Sequence, residues 1–185
     1  KGFSFKFMKY AKELTKAMDL LSKNKRTLFI GQAVAYPGTA MTNTLKNVPR
    51  KKLIELPVAE EMQLGISNGL AINGFIPISI FPRWNFLLLA TNQLVSHLDK
   101  FEVMSQGKYK PKVIIRTSIG SQRPLHPQHQ HIGDFTSAFK KILKKVEIIR
   151  LEKSSKIIPS YRKALNRKDG KSTILVEYGD YYQEK

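Results

Sequence analysis

Cysteine is absent from the 185 residues, so neither disulfides nor thiolate metal sites are available to this chain. Long apolar runs are absent too. None reaches the ~18 residues that suggest a membrane-spanning helix, and the N-terminus lacks the uncharged apolar core of a secretory signal. The expectation is a cytoplasmic protein with no membrane partner. Two catalytic signatures are missing as well. Asp169-Gly170-Lys171-Ser172 imitates the end of a phosphate loop, but the first glycine of that motif would fall at position 165, which is Leu, and a helix precedes it rather than follows. No Gly-x-Ser-x-Gly elbow occurs.

Acidic residues are scarce. Lys plus Arg number 32 against 14 Asp plus Glu, a formal charge of +18. Such an excess suits nucleic acid, an acidic partner or a solvated lysine-rich surface. The cations are scattered along the chain, at 23–26, 50–52, 140–145 and 162–171, with no nucleic-acid reader motif beside them. That favours an acidic protein over nucleic acid.

What is present is an alternation of strands and helices. Tyr10, Leu14, Met18 and Leu21 fall on one face and predict a helix over 8–22. A short apolar strand at 27–30 ends at Gly31, and a long loop of the functional kind follows over 31–50. A strand end carries Pro57. A helix over 59–73 stops at Asn73-Gly74, and a strand over 76–81 leads into a helix over 86–105. Strands at 112–117, 146–151 and 172–177 alternate with a helix over 135–145 capped by Asp134 and one over 158–166 with Pro159 in its first turn. This pattern predicts a single three-layer α/β domain over 8–185, with a mostly parallel central sheet flanked by helices. Residues 1–7 read as an N-terminal extension.

The side chains with chemical potential cluster in two places. Glu60 opens the 59–73 helix, where a carboxylate complements the helix dipole; Glu61 beside it faces elsewhere. Phe86 reads equally as a core aromatic or as a flat face for a ring. His126, His129 and His131 crowd one loop. A His-x-His pair can ligate zinc, yet no carboxylate or fourth ligand stands nearby in the sequence. Gly65 and Gly69 interrupt the 59–73 helix at ~1 kcal/mol each relative to alanine, a cost that suggests a close backbone contact, plausibly with another subunit.

Pro57-Val58-Ala59-Glu60, then Gly65-Ile66-Ser67-Asn68-Gly69-Leu70-Ala71, then Gly74, resembles the pyrimidine-binding domain of thiamine diphosphate enzymes, most closely the beta subunit of 2-oxo acid dehydrogenases. The resemblance runs from about Met8 to Tyr178 and is most specific over 56–96. It implies that Glu60 hydrogen-bonds the cofactor's aminopyrimidine and drives ylide formation, and that Phe86 packs on the same ring. Gln128-His129-Gln130-His131 is similar to a family loop whose histidine faces the substrate; His129 is the simplest match, and a shifted alignment selects His131.

Two departures stand out. Gln32 occupies the place of a family acid that belongs to a polar path between paired active sites. The Gly-Asp-Gly motif through which a second domain holds magnesium and the diphosphate is missing, as is the family's C-terminal domain. The resemblance therefore implies a split enzyme. This chain would be the pyrimidine-domain subunit, working as a heterodimer or α2β2 with a separate subunit that carries the diphosphate and magnesium. The pair would decarboxylate a 2-oxo acid or transfer the resulting acyl or aldehyde unit. The alternative is a non-catalytic regulatory or assembly protein that retains the fold.

Overall fold

The computed structural model describes residues 4–120 and 126–182; the loop segment 121–125 and residues 1–3 of the expected extension lie outside the described residues. Thr27–Gly31 (β1), Leu53–Glu55 (β2), Ile76–Ile80 (β3), Ile114–Ile119 (β4), Val146–Arg150 (β5) and Ser172–Tyr178 (β6) form one sheet in the order β2-β1-β3-β4-β6-β5. Every pairing is parallel, so the expected mostly parallel sheet is wholly so. Helices cover both faces, which is why β3 and β4 are buried along nearly their whole length rather than alternating between core and solvent.

Alternate strand residues feed two cores. On one face Phe29, Ile78, Ile114 and Leu175 pack with Tyr10, Leu14, Met18 and Leu21 of Ser4–Ser22 (α1) and with Ile157 and Ala164 of Ser154–Asn166 (α7). On the other, Ile115, Ile174 and Val176 meet Leu64 of Glu60–Ile72 (α3), Trp84 and Leu87 of Trp84–Leu87 (α4), and Phe139 of Thr136–Ile142 (α6). Short helices at Ala40–Asn43 (α2) and Phe101–Met104 (α5) complete the set.

The structure departs from the periodicity reading in three places. The single helix expected over 86–105 is broken: α4, a 3-10 turn over Leu88–Ala90, a widened π turn over Gln93–Leu98, then α5. Within the π turn the Gln93 carbonyl accepts a hydrogen bond from the Asn68 side-chain amide of α3 at 3.1 Å. Helix α7 starts at Ser154, so Pro159 lies in its interior rather than its first turn; Ser155 and Pro159 are both exposed, and the carbonyl freed by the proline is on the solvent side. Helix α1 begins at Ser4 instead of Met8.

A polar cluster sits inside the first core. Arg116 and Glu177 are fully buried, and Arg116 Nε donates to Glu177 Oε1 at 2.6 Å and Nη2 to Oε2 at 3.1 Å. The Tyr161 hydroxyl donates to the same Glu177 carboxylate. Tyr10 donates to the Leu151 carbonyl at 2.8 Å and accepts from the Tyr178 amide at 3.1 Å, tying α1 to β6. Burial first, and then the Glu177 charge, push the Tyr161 and Tyr10 phenols above their ordinary value.

Because these folded-state values lie above the unfolded value of about 10, their contribution to stability is complete below about pH 10 and is lost as pH rises further. Tyr161→Phe is expected to cost about 1–3 kcal/mol near neutrality and to flatten the alkaline loss. Urea midpoints compared on either side of about pH 10 test this; an unchanged alkaline slope would assign the loss to other groups.

Candidate active site

The chain leaves β1 toward β2 on one side and returns to β3 on the other. This reversal makes a crevice beyond the carboxyl ends of β1 and β3, where open parallel sheets characteristically bind ligands. Gly31 makes the close approach of the two strands feasible: a Cβ there would lie 2.6 Å from the Ile80 carbonyl oxygen. Buried Gln63 of α3 ties the same junction, donating from Nε2 to the Ile80 carbonyl at 3.0 Å and to Ser79 Oγ at 3.1 Å.

Two neighbouring depressions open along this edge. The first is a broad trough of ≈ 760 Å³ whose walls include Glu60, Glu61, Met62, Gly65, Leu89 and Gln93, so Glu61, expected to face elsewhere, borders the same hollow as Glu60. Glu60 opens α3 and is half-exposed, so the dry setting expected around its carboxyl is not formed by this chain. The apolar rim of the trough is open as well: Leu89 is 63% exposed and Met62 44%. Nor does the chain supply the close contact that the interior glycines suggest. A Cβ on Gly65 would make only ordinary contact with the Gln93 side chain, and one on Gly69 would meet nothing within 4 Å.

The second depression, a cleft of ≈ 470 Å³, lies at the switch point itself, among Gln32, Thr39, Arg83, Phe86, Ser118 and Tyr182. Phe86 and Glu60 thus line different hollows. They are joined through the chain, where Phe86 of α4 is followed by Leu89 of the 3-10 turn and Gln93 of the π turn. Gln32 is exposed at the mouth of this cleft.

The histidine loop is clamped from the β3–α4 turn. Arg83 Nη1 donates to the carbonyls of Gly120 at 3.0 Å and His131 at 3.1 Å. Asn85 donates to the Gln130 carbonyl at 3.0 Å and accepts from the Gly133 amide at 3.2 Å. This brings the His131 ring 5.1 Å from the Phe86 ring, tilted by 60°. The Nδ1 of His131 is buried and has no hydrogen-bond partner among the described residues. His129 lies on the exposed Gln128–Gln130 turn, and His126 Nδ1 accepts from the Gln128 amide at 2.9 Å. The structure therefore sets His131, rather than His129, against Phe86.

Sequence reasoning assigned nothing to Arg83, Asn85 or Glu55. The Glu55 carboxylate accepts three consecutive amides, from Ala33 at 2.5 Å, Val34 at 3.0 Å and Ala35 at 2.7 Å, and fixes the loop that forms one wall of the cleft. No motif marks it; a glutamate closing a three-residue strand is the whole signal. Among the described residues no group of three His, Cys, Asp or Glu could hold a metal ion, and no helix is long and apolar enough to cross a membrane.

A family model described as the transketolase, pyrimidine binding domain matches residues 7–182. The 3-methyl-2-oxobutanoate dehydrogenase subunit beta of Mycobacterium tuberculosis is 30% identical over 101 residues, which are 53% of this chain and 29% of that protein. The pyruvate dehydrogenase E1 component subunit beta of Gracilaria tenuistipitata is 31% identical over 121 residues, 63% of this chain and 37% of its own. The chain spans about a third of the length of these curated relatives. Among solved structures, the transketolase of Campylobacter jejuni superposes with a TM-score of 0.69 at 15% identity, covering 90% of this chain and 25% of that one. A split gene transketolase in an inactive beta4 tetramer gives 0.61 at 15% identity, covering 90% and 50%. At such identities the structural likeness concerns the fold alone.

Proposed function

The chain belongs to the transketolase pyrimidine-binding domain family, and from that premise we propose that it is the beta-type subunit of a split thiamine diphosphate enzyme acting on a 2-oxo acid. The observation that carries the proposal is the unfinished trough. Glu60 stands at the mouth of α3, on the carboxyl edge of the sheet, in a hollow with apolar walls that this chain leaves open on one side. A carboxyl group set to exchange a proton with a heteroaromatic nitrogen needs a dry, fitted neighbour, and a second subunit laid over the trough would supply it.

The residues present suit one half of the cofactor. Glu60 offers the acceptor and proton for the pyrimidine ring, with Leu89 and Gln93 as walls of the same trough, and Phe86 offers an apolar face from the second cleft. Nothing here suits the other half, since no carboxylate cluster is available for magnesium among the described residues; the diphosphate and its magnesium belong to the partner subunit. When bound, thiamine diphosphate supplies the carbanion chemistry. This chain's residues orient the ring and hold the proton on Glu60, and the partner laid over the trough shields it from water. His131, with its buried and unpartnered Nδ1 beside Phe86, is the substrate-facing histidine in this reading, and His129 is the second candidate.

Titration calorimetry of thiamine diphosphate with magnesium, on this chain alone and co-purified with candidate subunits that carry a diphosphate-binding domain, tests the proposal. Binding by the pair only, with 2-oxo acid decarboxylation, is the expected result. Absence of binding by any pairing would favour a fold-retaining assembly protein, a reading supported by Gln32 where the family has an acid.

The exposed glycine face gives a further expectation. Gly69→Ala should stabilise the isolated chain by about 0.5–1 kcal/mol, because alanine lowers the helix cost and its Cβ meets no atom. The same methyl group should weaken the assembled complex on the order of tenfold if α3 packs backbone-close on a partner. Urea unfolding of the chain and sedimentation of the complex read the two effects; a gain in both would show that the face is not a contact.

A further inference from the structure

The cations that look scattered in sequence converge on one edge of the sheet. Five of the six strands are entered from a segment carrying at least two of them: Lys25–Arg26 before β1, Arg50–Lys52 before β2, Lys108–Lys112 before β4, Lys144–Lys145 before β5 and Arg167–Lys171 before β6. Since all strands are parallel, these segments lie side by side on the amino-terminal edge, opposite Glu60 and the cleft. Five spacings of about 4.8 Å make that edge about 24 Å long.

The contacts show that the segments touch. Lys52 Nζ donates to the Asn24 carbonyl at 2.5 Å, and the Ile76 amide to the Arg26 carbonyl at 2.8 Å. Lys110 packs on Gly170, and both Lys110 and Lys145 reach Glu102, at 3.6 and 2.8 Å. Burial and then the neighbouring Arg26 lower the Lys112 ammonium below its ordinary range.

Two structural duties could explain cations here, and neither suffices. Helices end at this edge, and a cation in a last turn complements the helix dipole, but α1 and α3 carry none there. Ion pairing accounts for Arg167 with Asp169 and Glu147. Lys25, Arg26, Lys51, Lys108, Lys168 and Lys171, by contrast, have no ion-pair partner among the described residues.

Set within this field are exposed apolar side chains. Phe75 at the entry to β3 is 40% exposed, Tyr109 50%, Met104 65% and Val103 67%. Uncompensated charge costs stability through self-repulsion, and exposed aliphatic groups beside it offer nothing to a phosphate backbone.

We propose that the amino-terminal edge of the sheet is a docking surface for an acidic protein segment that presents apolar side chains among its carboxylates. The lysine ammoniums meet the carboxylates, and Phe75, Val103, Met104 and Tyr109 receive the apolar groups. Nucleic acid could use the charge and the two aromatic rings but would leave Val103 and Met104 without a role. The surface lies away from the trough, so this proposal stands apart from the enzymatic reading.

Fluorescence anisotropy with the full chain tests it, using a labelled amphipathic glutamate–leucine peptide, an all-glutamate peptide of equal length and single-stranded and duplex oligonucleotides. Binding of the glutamate–leucine peptide is expected to be the tightest and to weaken between about 50 and about 300 mM salt. The triple reversal Lys108→Glu, Lys168→Glu, Lys171→Glu should weaken it on the order of tenfold or more. A charge-matched control on α1 and α7, Lys12→Glu, Lys156→Glu, Arg162→Glu, should not. A second variant, Val103→Ser with Met104→Ser, should remove the preference over all-glutamate peptide while leaving the salt response. Equal losses in both reversal variants, tighter binding of either oligonucleotide, or no peptide binding at low salt would each overturn the proposal.

Discussion

Glu60→Gln is expected to lower 2-oxo acid turnover by the assembled enzyme roughly 10²–10⁴-fold, the range typical of losing a positioned proton donor or acceptor. Glutamine keeps the size of the side chain and one acceptor oxygen but cannot hold or release the proton. The loss should appear mainly in kcat, because the trough walls proposed to hold the ring, Leu89 and Gln93, are untouched. The fold should barely change. Glu60 is half-exposed at the first position of α3, where removing a negative charge costs about 0.3–1 kcal/mol. Glu61, one residue on and more exposed, borders the same trough, so Glu61→Gln is the parallel test and should keep near-normal turnover if Glu60 alone carries the proton. Comparable kcat in both variants would remove Glu60 from the chemistry; a loss in the Glu61 variant alone would mean that the two neighbours exchange roles.

Arg116→Met is expected to destabilise the chain by about 3–5 kcal/mol, the cost of leaving a buried charge uncompensated. Arg116 and Glu177 are both 0% exposed, in adjacent central strands, and the carboxylate is held by two guanidinium nitrogens and the Tyr161 hydroxyl. Removal of the arginine strands Glu177 among Tyr10, Tyr161 and the apolar core. The pair itself is a weak source of net stability, because desolvating both ions offsets most of their attraction. Arg116 Nη1 adds to that cost, being buried without a hydrogen-bond partner among the described residues. The double variant Arg116→Met with Glu177→Leu should therefore recover much of the loss. Urea unfolding of the single and double variants measures this, and the coupling follows from the cycle. A double variant no more stable than the single would mean that the pair contributes specific hydrogen bonds that packing cannot replace.

Much of this was legible beforehand. The apolar runs Ile76 to Ile80 and Val113 to Ile115 announced strands buried on both faces, and the step of four from Tyr10 through Leu14 to Met18 announced α1. Glu60 could be placed at a helix mouth because Pro57 breaks the chain just beyond β2, which stops at Glu55, and the helical period starts soon after it. Other features were not legible because they depend on partners far along the chain. The expected 86–105 helix is broken into short 3-10 and π turns, and the Gln93 carbonyl in it meets Asn68, 25 residues earlier. Glu55 anchors a loop some 20 residues before it. Arg83 and Asn85 looked like turn residues, and their role in clamping the histidine loop needs carbonyls 37 to 48 positions away.

The sequence by itself determined the layer order, the parallel sheet and the family, because these follow from local periodicity and from a motif whose residues lie close together. Tertiary structure alone decided which histidine meets Phe86, which hollow Glu60 opens into, and where the charge goes. His129 and His131 are two residues apart, and only the Arg83–Asn85 clamp turns the second toward the aromatic ring. The cations lie in widely separated segments and become one edge only because six strands run the same way, so that every strand entry falls on the same side of the sheet.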